Sequence, residues 1–233
     1  MSKIERICDL LDAAYGKLEL RPGRPPLDEL ILTILSQNTN RENCQAAFAS
    51  LRERFPAWED VRTADEREIA DAIRPGGLEA IKAARIKAIL QEIYESQGNL
   101  DLSWLASRDS REGRDYLLGF RGVGPKTAAC VLLFSLGRPV LPVDTHILRV
   151  SKRLGLIGQK VSAEEAHEIL QEMLMEAVSG RGRPERTTEE QVFSFHINMI
   201  RHGRAVCVAG IPKCSICVLR EECDYFAGTG PRR

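Results

Sequence analysis

Apolar residues recur at steps of three and four along almost the whole chain, and this period constrains the fold more than any other feature of the sequence. Leu27, Leu30, Ile31, Ile34 and Leu35 form one stripe, Cys44, Ala47, Phe48 and Leu51 a second, and Leu78, Ile81, Ile86, Ile89, Leu90 and Ile93 a third. A helix places such a set on one face, whereas a half-buried strand needs alternation, of which there is no convincing stretch. Breakers fall between the stripes at Arg24-Pro25-Pro26, Phe55-Pro56, Pro75-Gly76-Gly77 and Gly98. The chain therefore reads as many short helices with tight connections. Further helices are expected from Ser110 to Leu118, from near Pro125 to Leu136, and from Thr145, Ala163 and Glu189. Gly180-Arg181-Gly182-Arg183-Pro184 reads as an exposed basic loop, no internal repeat is present, and the fold class is all-α.

Composition narrows the partners. Hydrophobic residues make up 43% of the chain and charged residues 28%, which suits a globular protein and excludes a disordered or collagen-like one. With 33 basic and 33 acidic side chains the net charge is zero, so any nucleic-acid-binding face must come from local clustering. The opening MSKIERICDLLDAAYG has no signal-peptide pattern and no apolar run is long enough to span a bilayer. A cytoplasmic monomer without a membrane partner is expected, nucleoid-associated if the source is prokaryotic.

The cysteines carry the most specific local signal. Seven is an odd number, and a disulfide framework is not expected in a chain without a secretory signal. Cys8, Cys44 and Cys130 lie inside apolar helical patterns and read as core. The other four crowd together as Cys207-x6-Cys214-x2-Cys217-x5-Cys223, a candidate ligand set for one metal centre. Four thiolates suit zinc or a [4Fe–4S] cluster; structural zinc sites usually use two close pairs, and only Cys214 and Cys217 form one, so the spacing leans towards iron–sulfur.

Two further motifs bear on chemistry. In Phe120-Arg121-Gly122-Val123-Gly124-Pro125-Lys126-Thr127-Ala128, Gly122 and Gly124 permit a sharp turn and Pro125 is preorganised for the first position of a helix. The free amides at such a helix start can hold a backbone phosphate without reading sequence, although an ordinary interhelical turn has the same look. Downstream, Pro142-Val143-Asp144-Thr145-His146 places Asp144 where it can cap a helix, and capping competes with catalysis as the reason for the carboxylate. His146 reads as structural, and Lys126 alone reads as a surface lysine.

Taken together, these motifs resemble the endonuclease III branch of the helix-hairpin-helix (HhH-GPD) DNA glycosylase superfamily, from about Leu27 to Cys223. The resemblance rests on Gly122-Val123-Gly124-x-Lys126-Thr127-Ala128, on Val143-Asp144-Thr145-His146-Ile147, on His202-Gly203-Arg204 before the first cysteine, and on the cysteine spacing. It implies a [4Fe–4S] cluster on Cys207, Cys214, Cys217 and Cys223, Lys126 as nucleophile and Asp144 as catalytic carboxylate. It implies that Leu78 wedges into the duplex and that the Ser36-Gln37-Asn38-Thr39 loop, through Gln37 and Asn38, fills the gap left by an extruded base. Gly122, Gly124, Arg204 and Lys213 are the other expected DNA contacts. The family usually carries glutamine where Asn38 stands and Leu-Pro where Phe120-Arg121 stands, and its stretch equivalent to Gly180–Glu190 is shorter.

The implied architecture is a six-helix domain with the helix-hairpin-helix over residues 26–137 and an iron–sulfur cluster domain made of residues 1–25 and 138–233. The implied function is a bifunctional glycosylase and AP lyase acting on double-stranded DNA with damaged bases, oxidised pyrimidines first, or abasic sites. Excision of mismatched bases is an alternative, as is excision of 5-methylcytosine, because Gly98-Asn99-Leu100-Asp101-Leu102-Ser103-Trp104-Leu105 resembles the plant DEMETER-type enzymes. A non-catalytic iron–sulfur DNA-binding protein would need the cluster and the hairpin but not Lys126 with Asp144.

Overall fold

A computed structural model describes residues 1–21, 23–179 and 186–229, and among them there are helices and turns but no β-strand. The helices are α1 (Lys3–Tyr15), α2 (Pro26–Leu35), α3 (Arg41–Arg54), α4 (Trp58–Thr63), α5 (Glu66–Ile73), α6 (Glu79–Gln97), α7 (Ser110–Leu118), α8 (Pro125–Cys130), α9 (Thr145–Leu154), α10 (Ala163–Ser179), α11 (Thr188–Ala205) and α12 (Asp224–Thr229). No helix among the described residues is long and apolar enough to cross a membrane. Contacts divide the chain into two compact units, Pro22–Leu136 and Met1–Arg21 with Gly137–Arg233. Of the basic loop read at Gly180–Pro184 and the longer stretch to Glu190, residues 180–185 lie outside the described residues.

In the Pro22–Leu136 unit, α2 is the central element. Leu27, Leu30, Ile31, Leu32, Ile34 and Leu35 are all buried, so the helix is enclosed by α3, α6, α8 and the turn after α8. A helix of this length buried on nearly every side, its polar Glu29 and Thr33 included, is a core helix. Each of these side chains contributes about 1.5–3 kcal/mol by leaving water. The flanking helices start at polar caps: Asn40 Oδ1 accepts from the Asn43 amide at 2.8 Å, and Asp65 and Asp109 form capping boxes with Glu68 and Glu112. The helix expected from Pro125 to Leu136 is α-helical only to Cys130; Val131–Ser135 form a π turn whose last bond runs from the Leu136 amide to the Val131 carbonyl at 3.3 Å.

The other unit packs α11 against α1, α9 and α10. Ile7 and Leu11 of α1, Ile147 and Val150 of α9, Leu170 and Leu174 of α10, and Val192, Phe195 and Met199 of α11 form its core. A polar knot ties α1 to α11. Asp12 accepts from the Arg186 guanidinium at 2.6 Å and, through its other oxygen, from the Ser194 hydroxyl at 2.7 Å and the Asn198 amide at 3.4 Å. Both members of the ion pair are only 10% exposed, so removing one leaves the other charged and nearly dry. Asp12→Ala is expected to lower stability by about 3–5 kcal/mol, with Asp12→Ala/Arg186→Met recovering most of the loss. Denaturant unfolding of the two variants checks this.

Candidate active site

The glycine hairpin opens α8 as its residue types require. Val123 donates its amide to the Phe120 carbonyl at 3.0 Å, closing the turn, and Gly122 takes φ +85°, a conformation costly for any side chain. A Cβ at Gly122 would also lie 2.2 Å from Arg85 Nε, so any other residue there would displace the Arg85 side chain from the hairpin. The Arg85 guanidinium in turn donates to Gln37 Oε1 at 2.6 Å. One arginine thus joins the hairpin to the Ser36–Thr39 loop.

Gly124 precedes α8 without a capping side chain and Pro125 has no amide, which leaves the first-turn amides of Lys126 and Thr127 uncapped. The Lys126 side chain is half-buried, and among the described residues its amine has no hydrogen-bond or ion-pair partner. Glu29, buried on α2, has its pKa raised by burial, an effect opposed in part by Arg24, by a bond from the Thr33 hydroxyl and by the charge of Lys126.

Two exposed residues of the same unit stand out in their backbone. Asn38 has φ +53° and Leu78 φ +54°, the two non-glycine residues with positive φ among the described residues. Asparagine tolerates this conformation, whereas in leucine it is a strained one that needs a structural reason. Leu78 is 46% exposed although apolar, and Ile81, one turn later, is 58% exposed. Gln37 is half-buried on Arg85, and Asn38 is exposed.

In the other unit, Asp144 is the N-cap of α9. Its Oδ1 accepts from the amides of His146 at 2.9 Å and Ile147 at 2.8 Å, while Oδ2 accepts no bond among the described residues. Capping and chemistry therefore do not compete: one oxygen serves the helix and the other is available. The Arg149 guanidinium lies 3.1 Å from His146 Nδ1, and burial lowers the pKa of this histidine.

The His202-Gly203-Arg204 motif resolves into three tasks. A Cβ at Gly203 would sit 3.0 Å from His146 Cβ, so glycine lets α11 lie close on α9. His202 is buried between the Tyr15 hydroxyl, 2.9 Å from Nδ1, and Cys217 Sγ, 3.5 Å from Nε2, and burial pushes its pKa down to about 4. Arg204 is exposed, as is Lys213, and neither side chain is engaged in a hydrogen bond or ion pair among the described residues.

Cys207, Cys214, Cys217 and Cys223 are free thiols within electrostatic reach of one another. Burial, then the other three cysteines, push Cys217 up to about 11, against a bond from the Leu219 amide. No three His, Cys, Asp or Glu side chains among the described residues converge as ligands of a single ion. Two arginines of α9 hold this loop: Arg149 donates to the carbonyls of Cys207 at 3.1 Å and Gly203 at 2.8 Å. Arg153 donates to Cys207 Sγ at 3.4 Å and to the Val208, Ala209 and Gly210 carbonyls at 2.7–3.3 Å. Nothing in their local sequence distinguishes them from solvated surface arginines.

Known proteins resemble this chain along most of its length. Residues 31–176 match the HhH-GPD superfamily of base excision DNA repair proteins. The chain is 32% identical over 199 residues to Endonuclease III of Sulfolobus acidocaldarius, covering 84% of this chain and 81% of that protein. It is 31% identical over 174 residues to DNA glycosylase/AP lyase ROS1 of Arabidopsis thaliana, which is 73% of this chain and 12% of that much longer protein. It likewise spans 10% of the length of the rice Protein ROS1A. A solved structure of a trapped Endonuclease III–DNA covalent intermediate superposes with a TM-score of 0.76 at 29% identity, covering 97% of each chain. The hairpin, the Asp144 cap and the cysteine loop thus sit in a chain that belongs to the HhH-GPD superfamily of base excision DNA repair proteins, in its endonuclease III branch.

Proposed function

We propose that this protein is a bifunctional DNA glycosylase and AP lyase that excises damaged bases from duplex DNA, oxidised pyrimidines foremost. The observation that carries the reading is the Lys126 amine, unpaired among the described residues and set directly behind a glycine hairpin whose amides are uncapped. The trapping of a related endonuclease III as a covalent intermediate with DNA supports it.

A base inside the stack is out of reach, so the nucleotide must first leave the duplex, at a cost of a few kcal/mol that is smallest for a damaged or mispaired base. Leu78 and Asn38, exposed and held in an unusual conformation, are suited to occupying the vacated space. The neutral Lys126 amine attacks the sugar C1′ as the C1′–N bond breaks, and the electron pair leaves with the base, which takes up a proton. The Asp144 carboxylate, through Oδ2, stabilises the positive charge that develops on the sugar. Loss of the amine protons and ring opening give a Schiff base. That adduct makes the C2′ proton acidic, and its removal expels the 3′ phosphate. Hydrolysis of the imine then frees Lys126.

The cysteine loop fits a [4Fe–4S] cluster in its chemistry. The donor set is four cysteine sulfurs, and the amides of Leu219, Tyr225 and Phe226 and the Arg153 side chain point hydrogen-bond donors at them. Cys207, Cys214, Cys217 and Cys223 would hold the cluster, which supplies cross-linking to a loop with little apolar core of its own.

A second reading, excision of 5-methylcytosine, draws on the similarity to ROS1 and on the Gly98–Leu105 segment. That segment has a local structural reason to exist, since Asp101 accepts from the Ser103 amide at 2.8 Å and its hydroxyl at 2.6 Å to start a 3-10 turn. Excision rates on duplexes carrying thymine glycol, 5-methylcytosine or a mismatched thymine decide between the readings.

Lys126→Gln is expected to abolish borohydride trapping and strand cleavage on abasic DNA with binding nearly intact, because no other amine takes its place. Asp144→Asn keeps the Oδ1 acceptor, so it should fold normally yet lose excision by on the order of 10² or more, with a smaller effect on a preformed abasic site. Full excision with reduced thermal stability would make the carboxylate a cap alone.

Protein purified under mild conditions is expected to be yellow-brown and to contain iron and acid-labile sulfide; a colourless protein with one zinc ion would exclude the cluster. Arg204→Ala and Lys213→Ala should each reduce the log–log salt slope of DNA binding by about one, the signature of a lost phosphate contact. Unchanged slopes in both variants would remove these side chains from the DNA face.

A further inference from the structure

We propose that Lys82 is a positioning residue for DNA entry, whose buried ammonium fixes together the two loops that present Asn38 and Leu78. The inference rests on the reading above that these two residues enter the duplex.

Lys82 is 2% exposed and lies on the inner face of α6 in line with Ala83, Ile86, Ile89, Leu90 and Ile93. A methionine or leucine would fill such a position without the several kcal/mol it costs to bring a cation out of water. What the ammonium adds is two hydrogen bonds, to the Leu35 carbonyl at 2.8 Å and the Gly76 carbonyl at 2.8 Å. Leu35 is the last residue of α2, where helix carbonyls have no partner in the helix itself, and Gly76 closes the 3-10 turn Arg74–Gly76.

The two acceptors lie just upstream of the two strained residues. Three residues after Leu35 comes Asn38, and two after Gly76 comes Leu78, the pair of non-glycine residues with positive φ. Left-handed backbone costs leucine about 1–2 kcal/mol, and such residues persist only where the surroundings over-determine them. Leu78 is the N-cap residue of α6 with no side-chain cap, and its exposed side chain offers little packing to hold it. A single nitrogen bonded to both loops supplies the missing constraint and sets their relative register. A Cβ at Gly76 would press on Ala47 Cβ at 3.1 Å, so glycine lets this turn lie close against α3 while its carbonyl accepts from Lys82. Arg85 reinforces the same loop through Gln37.

Lys82→Met removes both hydrogen bonds at nearly constant volume. In duplexes with 2-aminopurine beside an abasic analogue, the wild-type protein should raise the fluorescence on binding, and Lys82→Met should not. Single-turnover excision from a lesion duplex should fall on the order of 10²-fold, as expected when a reacting group is displaced by about 1 Å. Borohydride trapping on single-stranded abasic DNA, which needs no duplex opening, should be unchanged. In an Asn38→Ala/Leu78→Ala background, Lys82→Met should change excision by less than about twofold, since the residues it positions are gone.

Wild-type fluorescence and excision in Lys82→Met, equal loss of single-stranded trapping, or a multiplied loss in the Asn38→Ala/Leu78→Ala background would each overturn the proposal. Should Lys82→Met not fold, Lys82→Gln, whose shorter side chain reaches at most one carbonyl, carries the same comparisons. A wild-type protein that traps no abasic DNA would overturn the lyase reading instead, and the fluorescence comparison, which requires binding alone, would still decide the role of Lys82.

Discussion

Every helix end leaves backbone amides or carbonyls that the helix cannot satisfy, and a chain of short helices multiplies such ends. This constraint explains why so many polar side chains here serve the backbone. Ser2, Asn40, Asp65, Asp109, Asp144 and Thr187 accept amides at helix starts. Lys82, Arg149 and Arg153 donate to carbonyls at the other ends or in the loops that follow. The residues proposed for chemistry lie at these same places because helix ends are where the backbone, the charge and the exposed surface meet. Asp144 caps with one oxygen and keeps the other available; Lys126 follows an end that has no cap at all.

Much of the architecture was legible in the sequence because it depends on period and punctuation. Ser110–Leu118, the start of α9 at Thr145 and the start of α10 at Ala163 coincide with the expected elements, and α11 begins one residue before Glu189. The stripe Leu27, Leu30, Ile31, Ile34 and Leu35 is buried, as its spacing required. The π turn at Val131–Ser135 was not legible: five consecutive side chains there suit either bond pattern, and only packing against α2 and α7 selects between them. The motif residues were found by type and spacing, whereas their supports were not. Lys82 had one usable signal, a cation four residues before Ile86 on an otherwise apolar stripe, which is an improbable surface position.

Charge is the property that sequence describes least well in this chain. A balance of 33 basic and 33 acidic side chains says nothing about which arginines are outward. Arg149 and Arg153 lie among the basic residues nearest the cysteine segment, yet their guanidinium groups turn to its carbonyls, because a multi-donor planar cation can satisfy several loop acceptors at once. Arg204 and Lys213 remain exposed with unengaged side chains. The side-chain donors free to bond a polyanion are therefore fewer than a count of local cations suggests, although the charge of Arg149 and Arg153 is undiminished by neutral carbonyl acceptors.

The cysteine loop shows what this use of arginine can and cannot achieve. Leu219 is fully buried, but Ile211 is 91% exposed and Ile216 64%, so the loop brings little apolar surface into a core. Hydrogen bonds from Arg149 and Arg153 act on its first turn, around Cys207 to Gly210, and His202 reaches Cys217. Cys214 and the segment up to Ile216 lie beyond those anchors, held in the main by turn bonds such as the Ile216 amide to the Lys213 carbonyl at 3.2 Å. A net hydrogen bond contributes only about 0.5–1.5 kcal/mol, far less than the binding of a metal centre to four thiolates. The Lys213 amide is bonded to the Val206 carbonyl at 3.0 Å, so the backbone already joins this residue to the end of α11, and the proposed cluster, once bound, would add its order to the Cys214–Ile216 stretch that follows.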